Sequence, residues 1–174
     1  MLGNRNFYWN FLPANGSAGG ILVGVNGDIF DIIAWDIRKF SVSVVVKIRR
    51  NDVVIRMTTV YGSPYEDGKQ EFLSELHELF VNWDGPAIIG GDFNLVRSQT
   101  DKSNGAVDFK WVDKFNAWVE IWALMEINLT GRTFTWSNNQ DNLVMSRIDR
   151  IFCTTSFDSP FSFSSCKGPP QARE

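Results

Sequence analysis

A chain of 174 residues, 44% hydrophobic and 14% aromatic, has enough apolar side chain for one core, too little length for two full domains and too much aromatic content for disorder. Its formal net charge of −3 excludes a global basic field, although carboxylates can still face phosphate where a bound cation neutralises them locally. Two cysteines make no disulfide framework, the first ten residues carry no apolar signal-peptide core, and no run is long and apolar enough to span a bilayer; the expectation is a soluble intracellular protein of nucleus or cytoplasm.

Ser17-Ala18-Gly19-Gly20 leads into an apolar strand over 21–25, and 28–35 reads as a second. The clearest strand is 40–49, where Phe40, Val42, Val44, Val46 and Ile48 share one face while Ser41, Ser43, Lys47 and Arg49 dominate the other. After the turn residues Asn51-Asp52, the run 53–61 puts Val53, Ile55, Met57, Thr59 and Tyr61 on one face, so 40–61 predicts an antiparallel hairpin. Ser63-Pro64-Tyr65-Glu66 has capping-box spacing with proline at the first helical position. Phe72, Leu73, Leu76, Leu79, Phe80 and Trp83 then form a helical stripe, which Asp84-Gly85-Pro86 ends before a short buried strand over 87–92.

A polar loop over 97–107 precedes a second helix from about Asp108, with Val112, Phe115, Val119 and Trp122 at helical intervals. Strands are expected over 133–137 and 147–153. The region 157–174, rich in Ser, Pro and Phe, has no period and reads as a poorly structured tail. There is no internal repeat and no linker, so 1–174 reads as one domain.

Gly90-Gly91-Asp92-Phe93-Asn94 closes the 87–92 strand with the most pointed chemistry in the chain. Paired glycines remove bulk where the backbone must approach another strand or a phosphate. A period of two aims Asp92 and Asn94 the same way and sends Phe93 back into packing. A carboxylate beside a carboxamide on a rigid strand end can move a proton while holding an anionic oxygen, as phosphodiester cleavage requires. Tyr61, the Thr133-Phe134-Thr135-Trp136 run and Ser146-Arg147-Ile148-Asp149-Arg150 are the other signals able to converge on it. Each also has an ordinary structural reading: Tyr61 as a half-buried aromatic, Asp92 and Asn94 as turn residues, Trp136 as core, and Asp149 as one member of a solvated ion pair with its neighbouring arginines.

Taken in order, Val60-Tyr61-Gly62, Gly90-Gly91-Asp92-Phe93-Asn94, Thr133-Phe134-Thr135-Trp136-Ser137 and Ser146-Arg147-Ile148-Asp149-Arg150-Ile151-Phe152 resemble the endonuclease/exonuclease/phosphatase superfamily, which includes deoxyribonuclease I and the abasic-site endonucleases. Within it the chain is most similar to endonuclease domains of plant-type non-LTR retrotransposons, over roughly 7–163. The resemblance implies an α+β fold, here incomplete: two mixed β-sheets packed face to face with helices on the outer faces, a four-layer αββα sandwich. It implies catalytic roles for Asp92 (acid/base work at the phosphate), Asn94 (donation to a phosphate oxygen), Tyr61 (a hydroxyl reaching the same phosphate) and Asp149 (orienting a catalytic histidine). It implies substrate-facing positions for Thr135 and Trp136, with Mg²⁺ as cofactor and DNA as partner. Pro64 stands where many members place a phosphate-contacting Asn.

Two motifs that the resemblance leads one to expect have no match. No Glu occurs in 1–16 to serve as the strand-end metal ligand, and the only histidine is His77, on the flank of the first helix, where it reads as a partly exposed surface residue. The expectation is therefore a fragment of a divalent-metal-dependent phosphodiesterase or endonuclease domain of retrotransposon origin, with little or no activity and doubtful metal binding. The competing reading is a non-catalytic module that binds nucleic acid or protein near Tyr61, Asn94 and Trp136.

Overall fold

Runs of Val, Ile and Thr separated by turn residues build the middle of this chain into a single mixed sheet. The computed structural model describes residues 6–14, 19–161 and 165–167. β1 (Phe7–Leu12) and β2 (Ile21–Asn26) pair antiparallel, and β3 (Phe30–Ile37), β4 (Ser41–Ile48) and β5 (Val54–Tyr61) follow as a meander. α1 (Glu66–Val81) carries the chain back, so that β6 (Ala87–Asp92) lies parallel to β5. α2 (Phe109–Ile121) leads to the short strands β7 (Met125–Glu126), β8 (Leu129–Thr130), β9 (Trp136–Ser137) and β10 (Met145–Ser146). β11 (Asp149–Cys153), α3 (Thr155–Phe161) and β12 (Cys166–Lys167) complete the order. The large sheet runs β3-β4-β5-β6-β11-β7, while β9 pairs with β10 and β8 with β12. The result is a mixed α/β fold with a six-stranded sheet and three helices.

Both faces of the sheet are covered. On one, α1 and α2 press Phe72, Leu76, Leu79, Phe115 and Trp118 onto Val60, Ile89, Phe93 and Phe152. Each fully buried side chain of this size contributes roughly 1.5–3 kcal/mol. Phe93 and Phe152 meet edge to face with ring centroids 5.4 Å apart, which ties the end of β6 to β11. On the other face, Val25 of β2 and Phe157 of α3 pack with Val44, Val46, Ile55 and Cys153. Among the described residues, that second face is closed by a two-stranded hairpin and one helix, where the sequence predicts a second mixed sheet.

The polar face of β4 is buried as well. Ser43 and Thr58 share a 2.8 Å hydroxyl bond, and Ser41 donates to Glu75 of α1 at 2.6 Å. Burial of that carboxyl raises its pKa, against the lowering effect of Ser41 and the Phe40 N–H.

Several elements differ from the sequence-based expectation. α1 starts two residues later than the capping box implies: Tyr65 is its N-cap, with no side-chain cap bond, and Ser63 instead accepts the Tyr65 N–H at 3.2 Å. Glu66 turns to the Trp111 indole N–H, at 2.7 and 2.8 Å, so its carboxylate joins α1 to α2 rather than capping α1. Over 133–137, only Trp136–Ser137 is strand, because Thr135 spends its backbone and hydroxyl groups on the 146–149 segment. β1 is an additional strand. Phe7, Tyr8, Trp9 and Phe11 are all exposed, and with large apolar groups on both faces no alternation survives to be read. The supposed tail begins with a helix, since Phe157, 7% exposed, anchors α3 in the second-face core, and Cys166–Lys167 pairs with β8. Ser17, Ala18 and residues 168–174 lie outside the described residues.

Candidate functional site

Strand register assembles the site. Tyr61, the last residue of β5, is the cross-strand partner of Asp92, the last of β6, and Asp92 is in turn the partner of Asp149, the first of β11. In-register neighbours stand side by side, so three residues distant in sequence meet at one end of three adjacent strands. Gly91 makes this possible. Its φ is +143°, and a Cβ there would sit 2.1 Å from the Val60 carbonyl oxygen. Gly90 runs beside Ile151 in the same way, so the paired glycines serve strand packing. Phe93 is fully buried, and its N–H donates to Ile148 O at 2.9 Å, fixing β6 to the entry of β11.

Asn94 reaches the site by a route other than strand alternation. It lies beyond β6 with φ +49°, its backbone N–H donates to Asp92 Oδ1 at 2.8 Å, and its Nδ2 donates to Gly62 O at 2.8 Å. The side chain is thereby held rigid across the β5–α1 loop, with one amide hydrogen already committed. Asp92 is half-buried. Desolvation pushes its carboxyl up to about 6, the Asn94 N–H opposes that shift, and the neighbouring Asp149 charge adds to it. Tyr61 is also half-buried, with Gly19 of the loop before β2 packed so close that a Cβ would lie 3.3 Å from its ring.

Asp149 is exposed and makes no ion pair among the described residues. The arginines beside it look elsewhere. Arg150, 5% exposed, pairs with Asp101 and, at 2.6 Å, with Glu126; Arg147 pairs with Glu126 at 2.7 Å and Arg97 with the same carboxylate at 2.8 Å. This buried network replaces the solvated ion pair considered for Asp149. Glu126 and Asp101 carry no sequence signal for it, since a single acid in a two-residue strand or a polar loop looks like any surface residue.

Thr135 and Trp136 flank the site differently. Thr135 Oγ1 accepts the N–H groups of Ile148 and Asp149, both at 3.1 Å, and donates to Ser146 O at 3.5 Å. Trp136 is 47% exposed, which excludes the core reading, and lines a groove of about 490 Å³ together with Asn94, Lys69, Lys102 and Asn138. A second cavity, of about 400 Å³, borders Gly91, Thr135, Arg147 and Asp149. Asp92 and its neighbours thus sit between two concave surfaces.

His77 is exposed on α1, its ring 5.1 Å from that of Trp122, on the helix layer rather than beside Asp149. No group of three or more His, Cys, Asp or Glu side chains able to hold a metal occurs among the described residues. Asp92 and Asp149, the two acids that register sets side by side, fall short of such a group. Mg²⁺ is the cofactor that the resemblance implies.

A mixed sheet with acids and an amide gathered at its strand ends defines a class of α/β protein whose site is built by register. Residues 2–165 match the Endonuclease/Exonuclease/phosphatase family, and the chain belongs to that family. Its fold is similar to the endonuclease domain of TRAS1, a telomere-specific non-LTR retrotransposon, at 20% identity and TM-score 0.67, over 88% of this chain and 68% of that one. It is similar to a mannosyl-6-phosphatase of Bacteroides thetaiotaomicron, at 18% identity and TM-score 0.56, over 86% and 63%. It is also similar to ANGEL2, a 2′,3′-cyclic phosphatase, at 12% identity and TM-score 0.56, over 85% and 63%. The chain spans about two thirds of the length of each of these structures, and at such identities the likeness is one of fold. No curated protein matches the sequence.

Proposed function

We propose that this chain carries the central part of a phosphodiester-hydrolysing site of retrotransposon-endonuclease type, with DNA as its partner, and that on its own it has little or no activity. The observation that supports this most is the cross-strand row Tyr61–Asp92–Asp149 with Asn94 tethered beside it. A carboxyl titrating near 6 takes and returns a proton close to neutral pH, which suits Asp92 to general acid/base work. One amide hydrogen of Asn94 is not spent on Gly62, which supports a role donating to a phosphate oxygen that the Tyr61 hydroxyl would also approach. Asp149 is the acid that would orient an imidazole. His77 cannot fill that role from the helix layer. The β1–β2 and β8–β12 pairs, two separate two-stranded sheets, support reading the remains of a second sheet in a four-layer sandwich.

The exposed Trp136 in a groove carrying Lys69 and Lys102 favours a second reading, that of a binding module without chemistry: bases stack on an indole and lysines track the backbone. Both readings predict DNA retention that weakens as salt rises. Incubated with supercoiled plasmid in Mg²⁺, the purified chain should leave it intact, and Asp92→Ala should change nothing. Nicking abolished by Asp92→Ala would overturn the low-activity conclusion; a flat titration at low salt would remove DNA as the partner.

A further inference from the structure

We propose that Thr135 is the positioning residue for Asp149, a pin that sets the register of β11. The inference rests on the Asp92–Asp149 pairing of the site described above. A hydroxyl has one hydrogen to donate and two lone pairs to accept with. Thr135 spends both lone pairs, accepting from Ile148 N–H and Asp149 N–H at 3.1 Å each, while its Oγ1 lies 3.5 Å from Ser146 O, a long contact for a donated bond. Its own N–H goes to Ser146 O as well, at 2.9 Å. No accepting capacity is left for a ligand.

Its position in the chain shows what the pin is for. The β11 ladder begins only at Asp149, so residues 147 and 148 are outside it, and the entry to the strand must be fixed by other bonds. Ile148 is clamped between Thr135, which takes its N–H, and Phe93, which donates to its carbonyl. Successive residues of a strand face opposite sides. Arg150 enters the buried pairs with Asp101 and Glu126, while Asp149 stands beside Asp92. A one-residue slip would exchange them, placing a cation in the site and an acid among acids. The β-branch of threonine restricts χ1 and keeps the hydroxyl aimed at this peptide.

The test uses the purified chain, with no DNA and no metal. Side-chain titration of Asp92 and amide exchange of Asp149 are followed by NMR in the wild type, Thr135→Val, Thr135→Ser and Asp149→Asn. In Thr135→Val, the Asp92 midpoint should fall from about 6 in the direction that Asp149→Asn moves it, and the Asp149 amide should exchange at least about tenfold faster. Thr135→Ser, which keeps the hydroxyl, should restore both. Glu75, on the opposite sheet face beneath α1, is the control and should not move. Should Thr135→Val fail to fold, Thr135→Ala, whose smaller side chain lets water reach the two N–H groups, carries the same measurements. Wild-type values in a folded Thr135→Val or Thr135→Ala, or loss of both signals in Thr135→Ser, overturn the assignment. An Asp92 midpoint unmoved by Asp149→Asn would overturn the carboxylate pairing itself, a failure distinct from that of the pin because the Asp149 amide still reports on Thr135.

Discussion

Asp92→Asn should stabilise the protein at pH 8 and leave it unchanged at pH 4. In the folded chain the Asp92 carboxyl titrates at about 6 instead of 3.8, chiefly because the site desolvates it. At about 1.4 kcal/mol per pH unit, holding the ionised group there costs at most ~3 kcal/mol. Solvent still reaches this half-buried side chain, and screening reduces the figure to about 1–2 kcal/mol. The folded value lies above the unfolded one, so the native state holds the proton more tightly. The contribution of Asp92 to stability is therefore complete below pH 3.8 and is lost as the pH rises through about 6. An asparagine is neutral throughout, nearly isosteric, and keeps an oxygen for the Asn94 N–H. Chemical denaturation of both proteins from pH 4 to 8 isolates the effect as a difference that opens between those values; by calorimetry it should raise Tm by roughly 2–8 °C at pH 8. A variant less stable at pH 8, or equally stabilised at both ends, would refute the desolvation account.

Gly91→Ala should cost at least ~3 kcal/mol in urea unfolding, because both φ +143° and the Val60 carbonyl 2.1 Å from a Cβ oppose it; a loss below 1 kcal/mol would show that the β5–β6 contact yields. Arg150→Ala leaves the Asp101 and Glu126 carboxylates short of a buried partner and should destabilise by about 3 kcal/mol, with Asp101→Asn recovering part of it in a double-mutant cycle. Trp136→Ala should change stability by less than about 0.5 kcal/mol, yet weaken single-stranded DNA binding by roughly 1–3 kcal/mol if a base stacks on the indole, as read by anisotropy.

The strands and helices that bury one clean stripe were legible in the residues. Val42, Val44 and Val46 recur at a period of two, and Phe72, Leu76 and Leu79 recur at helical spacing, because each set points its side chains to one face of its element. Tyr61, Asp92 and Asp149 could be placed together from their motifs, and register gathers them. Less legible were features decided by tertiary partners. Nothing local to Arg150 says that it turns away from Asp149 towards acids at 101 and 126. The left-handed turn at Asn94 breaks the alternation that a strand would have continued. Ser63-Pro64-Tyr65-Glu66 has cap spacing, but Glu66 finds the Trp111 indole instead. The resemblance gives Thr135 a substrate-facing position, and nothing local to it says that its hydroxyl accepts the Ile148 and Asp149 N–H groups.

The place of β11 between β6 and β7 has a consequence for the order in which the molecule can be made. On a ribosome, β3 to β6 and α1 can dock as soon as they emerge, bringing Tyr61 and Asp92 together early. The neighbour that β6 needs on its other side is synthesised only after α2 and β7, so the backbone groups of β6 stay open through that interval and can recruit another nascent chain. When β11 arrives, it closes the open edge and delivers Asp149 in the same step. Sheet completion and site assembly are thus one late event, and a chain with its second acid in place is also one whose centre has been sealed.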